Sequence, residues 1–172
     1  MAYGLRSGLR LAVAAWVSFV AAAAVAQEAP AGPPAQQQDN WVSRCVASAR
    51  QAALECSIEQ RLIMQNTSQL VAAVTVRMPA DTGKPVMMLQ MPLGLYLPAG
   101  ITIDIDAASE QRFELQTCDN NGCYAGAPIS DDLLASMTRG QKLNLRFQNL
   151  NRQPITVSAT LVGFTAAYQR IR

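Results

Sequence analysis

Histidine is missing altogether from the 172 residues. That single absence removes Ser-His-Asp and Cys-His catalysis, His-ligated zinc and imidazole-based pH switching. Lysine is nearly missing too, with only Lys84 and Lys142, and no basic run exists to mark a nucleic-acid or anionic-lipid surface. Neither G-x-x-x-x-G-K nor G-x-G-x-x-G occurs, so a phosphate-cradling loop has no support. Aromatic residues make up only 6% of the chain, and Trp41, Tyr96, Phe113, Phe147, Phe164 and Tyr168 do not interleave with basic residues. Core packing is their expected role, not base stacking. The longest apolar run, Leu11 to Val25, has 15 residues. A membrane-spanning helix needs about 20.

That short run reads as export machinery. Arg6 and Arg10 form a positive n-region, and Ala24-Val25-Ala26 is a small-residue cleavage site before Gln27, so residues 1–26 are expected to be a signal peptide. No cysteine lies near the cleavage point, which leaves no thiol for lipid attachment and predicts no stable membrane span after cleavage. Removing the two arginines leaves twelve basic and twelve acidic residues, a neutral mature chain. Residues 27–40 are mostly Gln, Ala, Pro and Gly and read as a flexible linker, because they bury too little to offset the entropy of ordering. Residues 41–172 are enough for one domain with its own core.

Cys45, Cys56, Cys118 and Cys123 all follow the cleavage site, and an even count in an exported chain favours two disulfides. Three pairings are open. The pairing Cys45–Cys56 with Cys118–Cys123 is preferred because each pair is close in sequence and brackets a plausible turn; rings of 12 and 6 residues would contribute about 2.8 and about 2.2 kcal/mol. The spacings fit neither paired C-x-x-C zinc knuckles nor a thioredoxin-like site.

Period-two alternation dominates the domain. Leu143, Leu145 and Phe147 alternate with polar residues, as do Ile101, Ile103 and Ile105, and then Phe113 and Leu115. Each reads as a half-buried strand. Ile155, Val157, Ala159 and Leu161 continue the pattern, and from Val162 to Ala167 both faces turn apolar or small, as in a strand covered on both sides. Residues 56–64 and 70–78 flank the polar stretch 65–68 and are expected to form a hairpin. In 118–123, Asn121-Gly122 is expected to supply the positive φ values of a tight turn. One short helix is predicted over 130–139, with Ser130 as N-cap, Asp131 and Asp132 in the first turn, Ile129 and Leu134 as a hydrophobic staple, and Gly140 as the C′ residue. The pattern is all-β: an antiparallel β-sandwich with one short helix, with a closed barrel as the alternative.

Few residues invite chemistry. Asp104 and Asp106 share a strand face by spacing, which is the geometry of a carboxylate pair or a calcium ligand set, but alternation with isoleucines makes them the wet face of the strand. Asp119, Asn120 and Asn121 offer calcium-type oxygens, yet they lack the EF-hand pattern and read as a turn. Met87, Met88 and Met91 cluster before Pro92, and thioethers bind Cu(I), but methionine is also an ordinary core filler. No catalytic residue, cofactor or metal site is assigned.

A resemblance adds to this. Trp41-Val42-Ser43-Arg44-Cys45, Cys56 to Gln60, Met91 to Ile101 with its P-L-G-L-Y-L-P-A-G-I core, Cys118 to Cys123, and Leu161 to Tyr168 with G-F-T-A-A-Y resemble the invasion-associated locus B family of exported alphaproteobacterial proteins. The resemblance covers essentially all of 41–172. It implies an immunoglobulin-like β-sandwich in the cell envelope, periplasmic or at the outer surface, and no catalytic residue.

The expectation is therefore a non-enzymatic envelope protein that binds another macromolecule, an envelope or host protein, and contributes to host-cell interaction or a general envelope role. Leu95, Tyr96 and Leu97, between Pro92, Gly94, Pro98 and Gly100, are the candidate interface. The alternatives are a periplasmic carrier of a small hydrophobic ligand and an enzyme built on carboxylates alone. No pattern in the sequence sets an oligomeric state.

Overall fold

The computed structural model describes residues 40–47, 49–51 and 54–172. The signal peptide and all but the last residue of the linker lie outside the described residues. Ten strands run in chain order: β1 Val42–Ala47, β2 Leu54–Ile63, β3 Leu70–Met78, β4 Val86–Met91, β5 Ile101–Ile105, β6 Gln111–Phe113, β7 Thr117–Asp119, β8 Gly122–Pro128, β9 Lys142–Gln148 and β10 Pro154–Thr160. Helix α1, Asp131–Arg139, separates β8 from β9, and helix α2, Phe164–Ile171, ends the fold. One sheet has the order β1-β2-β3-β4-β8-β7 and the other β10-β9-β5-β6, with all pairings antiparallel.

The alternation read from the sequence sets the inner faces. Ile101 and Ile103, Leu143 and Leu145, and Val74, Val76, Met87 and Leu89 are all 0% exposed and fill the space between the sheets. The expected hairpin of β2 and β3 is present, with a register shift at Leu62/Ile63. The methionines of β4 do not form a cluster: Met87 and Met91 face the core, while Met88, between them in the pleat, is only half-buried. They fill space.

Helix α1 begins as its sequence predicts, with Ser130 Oγ accepting from Leu133 N at 3.2 Å and Arg139 in the last turn. Its end differs in physical reason. Gly140 has φ −76°, so no left-handed cap is made; glycine is needed because a Cβ there would collide with Ile105 Cγ2 and stand 2.9 Å from Ser136 O.

The segment from Val162 to Ala167 is corrected. Strand β10 stops at Thr160, Gly163 takes φ 85°, and α2 follows. Phe164, Ala167, Tyr168 and Ile171, spaced i, i+3, i+4 and i+7, are all buried, so the apolar surplus belongs to one stripe of a helix and not to two faces of a strand. The wider sheet explains the position. Helix α2 packs on β1, β2 and β3, supplying a second layer there. Among the described residues two helices therefore accompany the sandwich, where one was expected.

Both disulfides follow the short-range pairing, Cys45–Cys56 across β1 and β2 and Cys118–Cys123 across β7 and β8, and the described residues include no free cysteine. In the second, Asp119 pairs with Gly122, so Asn120 and Asn121 are the central turn residues and only Gly122 has positive φ, 149°. The Asn-Gly expectation was one residue out of register. A side chain at Gly122 would strike the Met91 carbonyl of the neighbouring β4.

The β5–β6 turn is strained in a readable way. Asp106 and Ala107 both have positive φ, 51° and 61°, and Ala108 N donates to Ile105 O, which makes a tight turn that favours Asn-Gly over Asp-Ala. Replacing Ala107 by Gly is expected to raise stability by about 0.5–1 kcal/mol, the reverse of the usual cost of introducing glycine. Chemical denaturation of the two proteins measures it.

Candidate interaction surface

The segment between β4 and β5 carries the residues singled out as an interface, and it divides in the structure. Leu95 is 6% exposed and joins the core, bridging Asn149 in an isolated antiparallel pair. It is not available to a partner. Tyr96 is half-buried, with the Arg152 guanidinium 4.8 Å above its ring centroid. Leu97 is 47% exposed and opens a 3₁₀ turn, Leu97–Ala99.

Sequence reasoning missed two neighbours. Leu93 is 57% exposed on the same segment, and Leu150 is 71% exposed at the tip of the β9–β10 hairpin. Backbone hydrogen bonds join the two segments: Leu150 N donates to Gly94 O at 3.2 Å and Tyr96 N to Gln148 O at 2.9 Å. The hairpin tip is itself held, since Asn149 Oδ1 accepts from Asn151 N and Gln153 N, each at 2.9 Å. Gly100 closes the other side. Its φ is 65°, and a Cβ would lie 2.6 Å from Phe113 O, so the chain can pass this close to β6 only as glycine. Arg112 Nη2 donates to Pro98 O at 2.7 Å and fixes the 3₁₀ turn. Leu93, Leu97 and Leu150 are thus exposed leucines on a braced frame. The sequence signal for Leu150 was weak: a lone leucine between asparagines in a polar turn.

Asp104 and Asp106 do not form a carboxylate pair. Asp104 is 4% exposed, not on a wet face: Oδ1 accepts from Ala107 N at 2.8 Å and Asn144 Nδ2 at 2.7 Å, and Oδ2 accepts from Arg146 Nη2 at 3.1 Å. Burial is tolerated because the charge is paired and its oxygens are satisfied. Asp106 lies beyond the strand, and its two oxygens accept from Gln141 N and Lys142 N, each at 2.9 Å. Arg146 also meets Glu110 at 2.6 Å. These acids tie strands and turns together. Among the described residues no group of three or more His, Cys, Asp or Glu is placed to hold a metal.

Asp119 serves the disulfide turn. Its Oδ1 accepts from Asn121 N at 2.7 Å, and this hydrogen bond holds its carboxyl below the ordinary range. Tyr124 OH donates to the same oxygen at 3.2 Å; desolvation, then the Asp119 charge, pushes the Tyr124 phenol up. A depressed carboxyl contributes stability above its unfolded pKa and loses it as pH falls through the folded value. A carbon-detected NMR titration should therefore place the Asp119 midpoint below that of an unstructured aspartate, and Asn121→Pro, which removes the donor, should raise it.

Near the opposite corner of the larger sheet, the first and last blocks of the resemblance meet. The Trp41 indole donates to Thr160 O at 2.9 Å and lies edge-on to Phe164 at 5.1 Å, while Phe164 stacks on Tyr168 at 5.9 Å. Trp41 is 1% exposed and Phe164 0%.

Fold and surface together define a disulfide-linked β-sandwich in which Asp104 and Asp106 tie strands and turns together and three exposed leucines, Leu93, Leu97 and Leu150, stand on one loop pair. The chain belongs to the invasion associated locus B (IalB) protein family, whose model matches residues 41–172. It is 29% identical over 152 residues to an invasion protein B homolog of Brucella abortus (strain 2308), covering 87% of this chain and 86% of that protein. A homolog from Brucella abortus biovar 1 (strain 9-941) matches to the same extent. The crystal structure of invasion associated protein B from Bartonella henselae superposes with a TM-score of 0.68 at 19% identity, covering 77% of this chain and 90% of that one, and shows the same fold. No helix among the described residues is long and apolar enough to cross a membrane.

Proposed function

We propose that this protein is an exported, non-enzymatic envelope protein that binds another macromolecule through the surface of Leu93, Tyr96, Leu97 and Leu150. The observation that carries the reading is the exposure of three leucines on two hydrogen-bonded segments, braced so that little conformational entropy is lost on contact. Tyr96 with its Arg152 neighbour adds the residue types that dominate interface energetics. Two disulfides and the kinship with invasion proteins agree with export to an oxidising compartment, the periplasm or the outer surface. A role in host-cell contact follows only if the partner is a host protein; an envelope partner gives a housekeeping role. The carrier alternative is less favoured because side chains fill the space between the sheets.

Crosslinking in intact cells tests this reading. The wild-type chain should give a discrete crosslinked product, which the triple variant Leu93→Ser, Leu97→Ser, Leu150→Ser loses while keeping its fold and disulfides. An unchanged crosslinking pattern in the triple variant rejects the surface.

A further inference from the structure

An exposed sheet edge is a template for another strand, and folded proteins usually blunt such edges. Among the described residues, three of the four sheet edges are blunted. Strands β6 and β7 are only three residues long, and β10 opens with Pro154 and has its last carbonyl, that of Thr160, engaged by the Trp41 indole. Strand β1 is different. It has six residues, all exposed, pairs with β2 in unbroken register, and contains neither proline nor lysine. Val42 and Val46 stand on it 61% and 56% exposed.

The direction of its unpaired groups can be read from the first disulfide. Cys45 and Cys56 are directly opposed with their Cα atoms 4.0 Å apart, the narrow type of antiparallel pair, whose own N–H and C=O groups point away from the partner strand. By alternation the backbone groups of Ser43, Cys45 and Ala47 face the open side, while the side chains of Val42, Arg44 and Val46 share the outer face.

We propose that β1 is the contact through which two copies of this chain associate, β1 against β1, antiparallel about a twofold axis at Cys45. In this register Ser43 faces Ala47 of the second copy and Cys45 faces its own counterpart, so every outward backbone group of Ser43, Cys45 and Ala47 is paired. Arg44 then lies opposite Val46 of the second copy. Moving the axis to Arg44 would set two guanidinium groups against each other at the narrow spacing and leave Ala47 unpaired. Residues 27–172 carry equal numbers of basic and acidic side chains, so no net charge opposes the approach of two copies. The edge stands independently of the leucine surface.

Sedimentation of the mature, disulfide-bonded protein over a broad concentration range is the test, with Val46→Lys and Val46→Glu as the variants. Position 46 is exposed, so both should fold. Wild type should show a reversible monomer–dimer equilibrium in which the amides of Ser43, Cys45 and Ala47 exchange more slowly as concentration rises. Val46→Lys places a like charge opposite Arg44 twice per dimer and should weaken association by about 2- to 30-fold, whereas Val46→Glu should tighten it by a similar factor. Within one copy the preference is reversed, because Val46 opposes Glu55 of β2, so a thermal melt of dilute monomer separates association from folding. A wild type that is monomeric at every concentration overturns the proposal. So does a dimer whose affinity moves in the same direction, or not at all, in both variants, since the copies would then meet elsewhere.

Discussion

Phe164→Ala is expected to lower stability by about 3–5 kcal/mol. Phe164 is 0% exposed, meets Trp41 edge-on and Tyr168 face-on, and sits at the first position of α2, where it pins the helix onto the wider sheet. Alanine removes the ring's transfer free energy and leaves a cavity that neither neighbour can fill, since Trp41 is held in place by its bond to Thr160 O. The loss should be more than local. With α2 loosened, the buried sides of β2 and β3 lose their cover, so amide exchange should quicken in both strands as well as in the helix. Urea denaturation gives the free energy, and exchange mapped by mass spectrometry gives its spread. A loss below about 1 kcal/mol would mean that α2 is a loosely attached appendage, contrary to its buried stripe.

Leu95→Ala is expected to cost about 2–5 kcal/mol, while Leu97→Ala, two residues away, should stay within about 0.5 kcal/mol of wild type. The difference follows from placement. Leu95 fills the core beside the β9–β10 hairpin, and Leu97 projects from the 3₁₀ turn into solvent. Partner binding should divide the other way, with Leu97→Ala losing the crosslinked product at full stability. Thermal melts of the two variants, run beside the crosslinking experiment, separate packing from recognition. Equal destabilisation by both would place Leu97 in the core and remove it from the proposed surface.

The strand pattern was legible because period-two alternation is a local property. Leu143, Leu145 and Phe147, or Ile101, Ile103 and Ile105, declare an inner face without reference to any other part of the chain. The N-cap of α1 was legible for the same reason. The C-terminal helix was not legible because Val162 to Ala167 runs on from a strand and is apolar or small throughout, and a short stretch of that kind fits either period. Gly163, with its left-handed φ, was the available punctuation. Of the candidate interface, Tyr96 and Leu97 reach the surface and Leu95 does not, because the bend at Gly94 makes simple alternation a poor guide there.

Taken alone, the amino-acid order determined the apolar residues that face inward along β5, β6 and β9, the start of α1, the kinship with the invasion-associated family and the exclusion of imidazole chemistry. Each depends on residue identity or on neighbours a few positions apart. Which leucines meet solvent together, why Gly140 and Gly122 must lack a Cβ, how Asp104 comes to be buried and which sheet edge stays open among the described residues were decided only by tertiary structure. Those properties arise where segments far apart in the chain come within van der Waals contact, as when Ile105 closes on Gly140 and Leu150 binds the Gly94 carbonyl. No local period encodes such distances.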